Sequence, residues 1–233
     1  MITAIAVTTR APSAPGKSRL IRDLGTRDGE GLRRALLQDT FDVASRLDRA
    51  KAVLYTPTDC EREVAALAPF PAARAAQRGD TLGERMHNGA CDVARLGFDA
   101  VILLGSDLPT LPPAHVSAAV HAVERRDVLV LGPAADGGYY LIGGRELPSA
   151  LFNGIPWGTA TVLKRTAEAA AALGLAVELI PPWYDIDLPA DLRRAVADAR
   201  RSRGTARHTL AWFAAAPPDV RARVDGAKMH QRG

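Results

Sequence analysis

Short runs of aliphatic and β-branched residues alternate along the chain with segments of helical period. No other feature of the sequence narrows the fold as much. The runs Ile2–Thr8, Ala52–Tyr55, Val101–Leu104, Val128–Leu131 and Val177–Ile180 are short, continuous and rich in Val, Ile and Leu. They lack the polar interleaving of a half-wet sheet, so both of their faces are expected to be covered. Between them, Leu32, Leu36, Val43 and Leu47 recur at the spacing of one helix face, as do Val116, Val120 and Val123 behind Pro112-Pro113. Proline is tolerated in a first helical turn. The Ala-rich stretch Thr161–Leu173 stops at Gly174, a residue suited to a left-handed cap. This repetition predicts an α/β fold: a three-layer α/β/α sandwich around a mainly parallel, Rossmann-like mixed sheet.

A chain of 233 residues accommodates one such domain and a short appendage. The domain is expected over residues 1–203. Residues 204–233 differ in character: "TLAWFAAAP" predicts a short helix packing Leu210, Trp212 and Phe213, while "DGAKMHQRG" has little to bury and reads as a mobile end. No apolar run approaches the roughly 20 residues that span a bilayer. "MITAIAVTTR" lacks a basic leader and reads as a strand. Cys60 and Cys91 fit neither a metal-ligand spacing nor a disulfide framework. A cytoplasmic protein with no membrane partner is the expectation. The net charge of +4 admits nucleic acid, but the densest basic stretch, Arg193–Arg207, is interrupted by Asp198 and reads as the wet face of a helix. With no reading helix or stacking platform beside it, no nucleic-acid partner is expected. A mild positive bias suits an anionic small molecule.

Open α/β sheets bind ligands beyond the carboxyl ends of their strands. The first loop, "TTRAPSAPGKSRL", carries Arg10, Gly16, Lys17 and Arg19, cations and backbone amides suited to phosphates, although its spacing is not that of a Walker A loop. In "QRGDTLGERM", Asp80 or Thr81 is placed to cap a helix, and Asp80 and Gly83 also offer contacts to a base or ribose. "VILLGSDLPTL" stops on Ser106 and Asp107, where the carboxylate reads either as turn chemistry or as a metal ligand. Asp136-Gly137-Gly138 is a strong hairpin signal whose glycines also let a ligand approach the backbone. In "PPWYDIDLPADL", Asp185 and Asp187 are taken to alternate, which leaves one of them facing a shared site. Asp187 reads either as that residue or as the N-cap of a helix over Ala190–Arg201. Trp157 and Trp183 sit in loops, with ligand stacking and core packing both open. His87 and His115 fall in helical patterns and read as partly exposed surface residues.

Taken together, "GKSRL", "GSDLP", "PAADGGYYLIG", "FNGIPWGTATVL" and "YDIDLPADL" resemble, in this order over about Ile2–Arg194, the nucleotide-diphospho-sugar transferase (GT-A) superfamily, and within it the bacterial glycosyltransferase-like family DUF2064. The chain is also similar to the phospholactate guanylyltransferases, which share the K-S-R-L loop and the G-D-L-P and D-G-G turns. The resemblance implies that Lys17 and Arg19 contact nucleotide phosphates and that Asp107 binds Mg²⁺ or Mn²⁺ with Asp187 as second carboxylate. Asp136, Gly137 and Gly138, with Trp157 beside them, would line the acceptor pocket. Two departures stand out: Ser106 precedes Asp107 where many relatives carry Gly, and the full Asp-x-Asp of many glycosyltransferases is missing.

A hard cation with few protein oxygens, phosphate oxygens and water suits this chemistry, and it needs no protein nucleophile. The expectation is a nucleotide-utilising transferase that moves a nucleotidyl group from a nucleoside triphosphate to a small acceptor. Glycosyl transfer from a nucleotide sugar is the alternative, and a non-catalytic nucleotide-binding module is a third reading.

Overall fold

A computed structural model of the chain describes residues 1–202 and 204–226. Of the end expected to be mobile, residues 225–233, Asp225 and Gly226 close the last helix and 227–233 lie outside the described residues. In chain order the elements are β1 (Thr3–Arg10), α1 (Ser18–Leu24), α2 (Gly29–Ser45), β2 (Ala50–Thr56), α3 (Glu61–Leu67), β3 (Ala73–Ala76), α4 (Leu82–Ala94), β4 (Ala100–Leu104) and α5 (Pro113–Arg125). They continue with β5 (Leu129–Pro133), β6 (Tyr139–Gly144), α6 (Val162–Ala172), β7 (Val177–Leu179), α7 (Pro189–Arg201), α8 (Arg207–Ala215) and α9 (Pro218–Gly226).

Among the described residues the strands form one sheet in the order β3-β2-β1-β4-β6-β5-β7. Every pairing is parallel except those of β6, which runs antiparallel between β4 and β5. The strands alternate between two cores, as the period of two demands. Ile5, Val7, Ile102 and Leu104 face the side of α2, α3 and α5, where Phe41, Val64 and Val116 are buried. Ala4, Ala6, Val101 and Leu103 face the side of α4 and α6, against Ala90, Val93 and Ala170. The sandwich is therefore three-layered and its sheet mixed. Leu32 and Leu36 do not share a core with Val43 and Leu47: the first pair packs in a helical cluster with α1 and α7, the second on the sheet.

That helical cluster includes Phe213 of α8 and Val220 and Val224 of α9, with Leu210 and Trp212 partly buried at its edge. Asp39 on α2 fixes the junction. It is 1% exposed and accepts from His208 N (2.9 Å), Thr209 N (2.8 Å) and Thr209 Oγ1 (2.6 Å). A carboxylate borrowed from another helix thus satisfies two amides in the first turn of α8. Burial pushes the Asp39 carboxyl up, against the lowering pull of those bonds. Asp39→Ala strands three donors and is expected to lower stability by about 2–3 kcal/mol in urea unfolding. Asp39→Asn, which keeps one acceptor, loses less.

Candidate active site

The order β2-β1-β4 opens a crevice between the carboxyl ends of β1 and β4, because the chain leaves β1 toward β2 and returns to its other side as β4. Three segments meet there. The loop after β1 brings Lys17, which caps α1 in a left-handed conformation (φ 50°). The turn after β4 brings Asp107. The third segment leaves β7, bridges Ala134 through Trp183 and crosses to the β4 turn, where Ile186 N donates to Asp107 O (3.2 Å). It delivers Asp187 just before α7.

Lys17 ties the three together. Its Nζ lies 2.9 Å from Asp107 Oδ2 and 2.8 Å from Asp187 Oδ1, with only 12% of the side chain exposed. Burial alone would pull its ammonium down, but the two carboxylates outweigh that and hold it above the usual lysine value. Asp187 is not the helix cap. Leu188 holds that position, and Asp191 reaches back from the third helical residue, its Oδ2 accepting from Asp187 N (3.1 Å) and Leu188 N (2.8 Å), while the Asp187 carboxylate meets Lys17.

Asp185 corrects the sequence reading. Residues two apart in extended chain share a face, and Tyr184 and Ile186 are the ones buried in the helical cluster. Asp185 and Asp187 therefore point to the same side. One oxygen each from Asp136, Asp185 and Asp187 lie within 4.8 Å of one another. The Asp185 Oδ1 atom is buried with no hydrogen-bond partner. Burial, reinforced by the Asp187 charge, pushes its carboxyl up to about 7. An orphaned buried oxygen among hard oxygen donors fits a divalent cation of the Mg²⁺ or Mn²⁺ type.

Thr40, on the apolar face of α2, positions the Asp107 turn. Its Oγ1 is shared between Leu36 O (3.1 Å) and Ser106 O (2.9 Å) as donor and accepts from Leu108 N (3.1 Å). Only its place as a hydroxyl in an apolar helical stripe hints at this in the sequence. Thr40→Val keeps the shape but loses both contacts to the turn. It is expected to lower kcat by about tenfold and stability by about 1–2 kcal/mol, with Thr40→Ser restoring most of both.

The remaining candidates are spread around this centre. Arg10 and Arg19 are exposed, and Arg10 Cδ lies 3.4 Å from the place a Cβ on Gly16 would occupy. Ser106 lines a cavity of about 310 Å³ together with Asp107, Asp136, Gly138, Trp157 and Asp185. Asp136 Oδ1 accepts from Gly138 N (2.9 Å), the turn chemistry its sequence announced. Gly137, at φ 88°, sits where a Cβ would fall 2.3 Å from Ala160 O, so no side chain fits. Asp80 and Gly83 are not among the cavity-lining residues. Thr81 caps α4 in a capping box with Glu84, and a Cβ on Gly83 would stand 2.9 Å from Phe152 Cβ and 3.0 Å from Trp157 Cζ2. Trp157 meets Tyr139 edge-on (6.4 Å, 82°) in the cavity wall. Trp183 stacks on Tyr184 (5.3 Å) and meets His115 edge-on (5.3 Å) instead. His115 and His87 are both half-buried, and His87 Nδ1 lies 2.8 Å from Leu147 O. Among the described residues no helix is long and apolar enough to cross a membrane.

A protein of Desulfovibrio desulfuricans G20, described as a "putative nucleotide-diphospho-sugar transferase", is 31% identical to the chain, with a TM-score of 0.83 over 96% of this chain and 99% of that one. The 4-diphosphocytidyl-2C-methyl-D-erythritol synthase of Anaerococcus prevotii shares the fold at 12% identity and a TM-score of 0.57, covering 87% and 96% of the two chains. Glucosyl-3-phosphoglycerate synthase of Mycobacterium tuberculosis, solved with Mn²⁺, uridine diphosphate and its product, shares it at 14% identity and a TM-score of 0.50, over 85% and 76%. No protein of curated function matches the chain in sequence. The family described as "Uncharacterized protein conserved in bacteria (DUF2064)" matches residues 28–159, from α2 through the β5–β6 turn and on to Thr159 beside the cavity. This chain is a member of that bacterial family, DUF2064, on the fold of the nucleotide-diphospho-sugar transferases.

Proposed function

We propose that this transferase moves a nucleotidyl group from a nucleoside triphosphate to a small hydroxylated or phosphorylated acceptor and releases pyrophosphate. The observation that carries the reading is Lys17, fixed between Asp107 and Asp187 on the loop after β1, with the exposed Arg10 and Arg19 flanking it in the sequence. A polyphosphate brings several negative charges that must be neutralised and held in line, and a clamped ammonium with two exposed guanidiniums matches that demand. The acceptor oxygen forms a bond to the α-phosphorus, the bond from that phosphorus to the bridging oxygen breaks, and the electron pair leaves on pyrophosphate. Lys17 holds the phosphates throughout. Asp185, Asp187 and Asp136 would hold a divalent ion, with Asp107 flanking them through Lys17. When bound, such an ion supplies charge neutralisation at the phosphate oxygens. Asp136, Gly137 and Gly138 with Trp157 form the acceptor side. The catalytic unit spans residues 1–203, and the helices beyond it brace α2 and α7.

A second reading, glycosyl transfer from a nucleotide-diphospho-sugar, is favoured by the description of the Desulfovibrio relative. The two part on their products. The purified protein is incubated with Mg²⁺ and each triphosphate plus simple phosphorylated acceptors, and separately with nucleotide sugars. Pyrophosphate release supports nucleotidyl transfer, and free nucleoside diphosphate from the sugar nucleotides supports the second reading. Binding of nucleotide with neither product sinks both and leaves a nucleotide-binding module.

A further inference from the structure

Resting on the reading above, we infer that the acceptor is amphipathic: a phosphate or hydroxyl head joined to a compact hydrocarbon body, and not a polyol. The cavity of about 310 Å³ beside the carboxylates has two unlike ends. Its polar end is formed by Ser106, Asp107, Asp136 and Asp185. The rest of its lining is mostly apolar, with Leu82, Met86, Trp157 and Val162 joining Leu103 and Ile142 of the sheet. The hydroxyls of Thr8, Tyr140 and Thr159, which also line it, are already donated to Leu104 O, Pro181 O and Pro156 O. The sheet there offers little hydrogen bonding. Leu103 pairs with Ile142 and Leu104 with Leu141 in the β4–β6 ladder, so these backbone groups are already engaged. Leu82 is 49% exposed at the cavity's edge, large for an aliphatic side chain with no ligand against it.

A polyol moved against such a lining would lose more water than it regains in partners, whereas each methylene gains by burial. A nucleobase is a poorer occupant for the same reason, since a base is read by hydrogen bonds along its edge. A volume equal to about ten waters suits a body of a few carbons up to a small branched or aromatic group.

The test is a series of n-alkyl phosphates, methyl to hexyl, titrated into the native protein with Mg²⁺ and a non-hydrolysable triphosphate, alongside glycerol phosphate and glucose 1-phosphate. Affinity is expected to rise about fourfold per methylene until the cavity is full. Met86→Trp, checked for native unfolding temperature, is expected to flatten the series while triphosphate binding persists. A flat series on the native protein, or tighter binding of the polyol phosphates, overturns the inference. So does Met86→Trp if it abolishes triphosphate binding, because the cavity then belongs to the base. A steep alkyl series without pyrophosphate release from any triphosphate leaves the cavity assignment standing and removes nucleotidyl transfer instead.

Discussion

Lys17→Met is expected to lower kcat/KM by at least about a thousandfold, with the protein still folded. The loss of one preorganised charge at a reacting phosphate is typically that large, and here the charge is clamped from both sides. Methionine keeps the length of the side chain but leaves Asp107 and Asp187 facing each other across an apolar thioether. At neutral pH that is expected to lower stability by about 1–3 kcal/mol. The pH dependence separates this from a packing defect. The wild-type ammonium is held above the ordinary lysine value. The charge on Lys17 is therefore complete below that ordinary value and is lost only as alkaline pH rises through the folded one. The variant leaves two carboxylates without their shared cation, and its deficit shrinks at strongly alkaline pH, where the wild type loses the ammonium as well. Steady-state kinetics at neutral pH and urea unfolding at neutral and strongly alkaline pH check both halves. Retention of more than a tenth of wild-type kcat/KM would remove Lys17 from the phosphate site.

How much of this centre was legible in the sequence depends on which kind of contact built it. Continuous apolar strands and helical periods are local signals, and they lead to the three-layer sandwich. The mixed sheet then places the loop after β1 beside the turn after β4, so Lys17 and Asp107 meet by topology. The Asp136 turn was legible for the same reason, since Asx chemistry is local. Asp185 escaped through a wrong assignment of strand faces: its partner in direction is Asp187, while Tyr184 and Ile186 turn inward. Thr40 escaped because its hydrogen bonds reach 66 and 68 residues along the chain, to Ser106 and Leu108. Asp39 belongs to the same class, reaching 169 residues on to His208. In the Gln77–Met86 loop the local rule was right and left two residues open, of which Thr81, boxed with Glu84, is the cap.

Asp185 supplies the second large effect, and its sign is opposite for folding and for function. Its carboxyl is pushed up to about 7, by burial first and the Asp187 charge next, with Lys17 pulling the other way. A carboxyl in an unfolded chain titrates near 3.9. The folded state therefore holds the proton more tightly, and ionised Asp185 works against folding: its penalty is absent below about pH 4, grows toward pH 7 and is constant above. In EDTA, Asp185→Asn is expected to be more stable than wild type by on the order of 2 kcal/mol at pH 8 and equal to it at pH 4. With Mg²⁺ and a triphosphate the order reverses. The native carboxylate gives up its proton to hold the ion, so the wild type gains stability from the ligands and the variant gains little. Turnover of the variant at fixed Mg²⁺ falls by at least about a hundredfold. A buried oxygen without a partner is a strain that folding alone gives no reason to keep, and the proposed cation would relieve it. Thermal unfolding of the two proteins from pH 4 to 8, with and without the ion, decides the matter: equal midpoints at pH 8 in EDTA mean that Asp185 is not held as described.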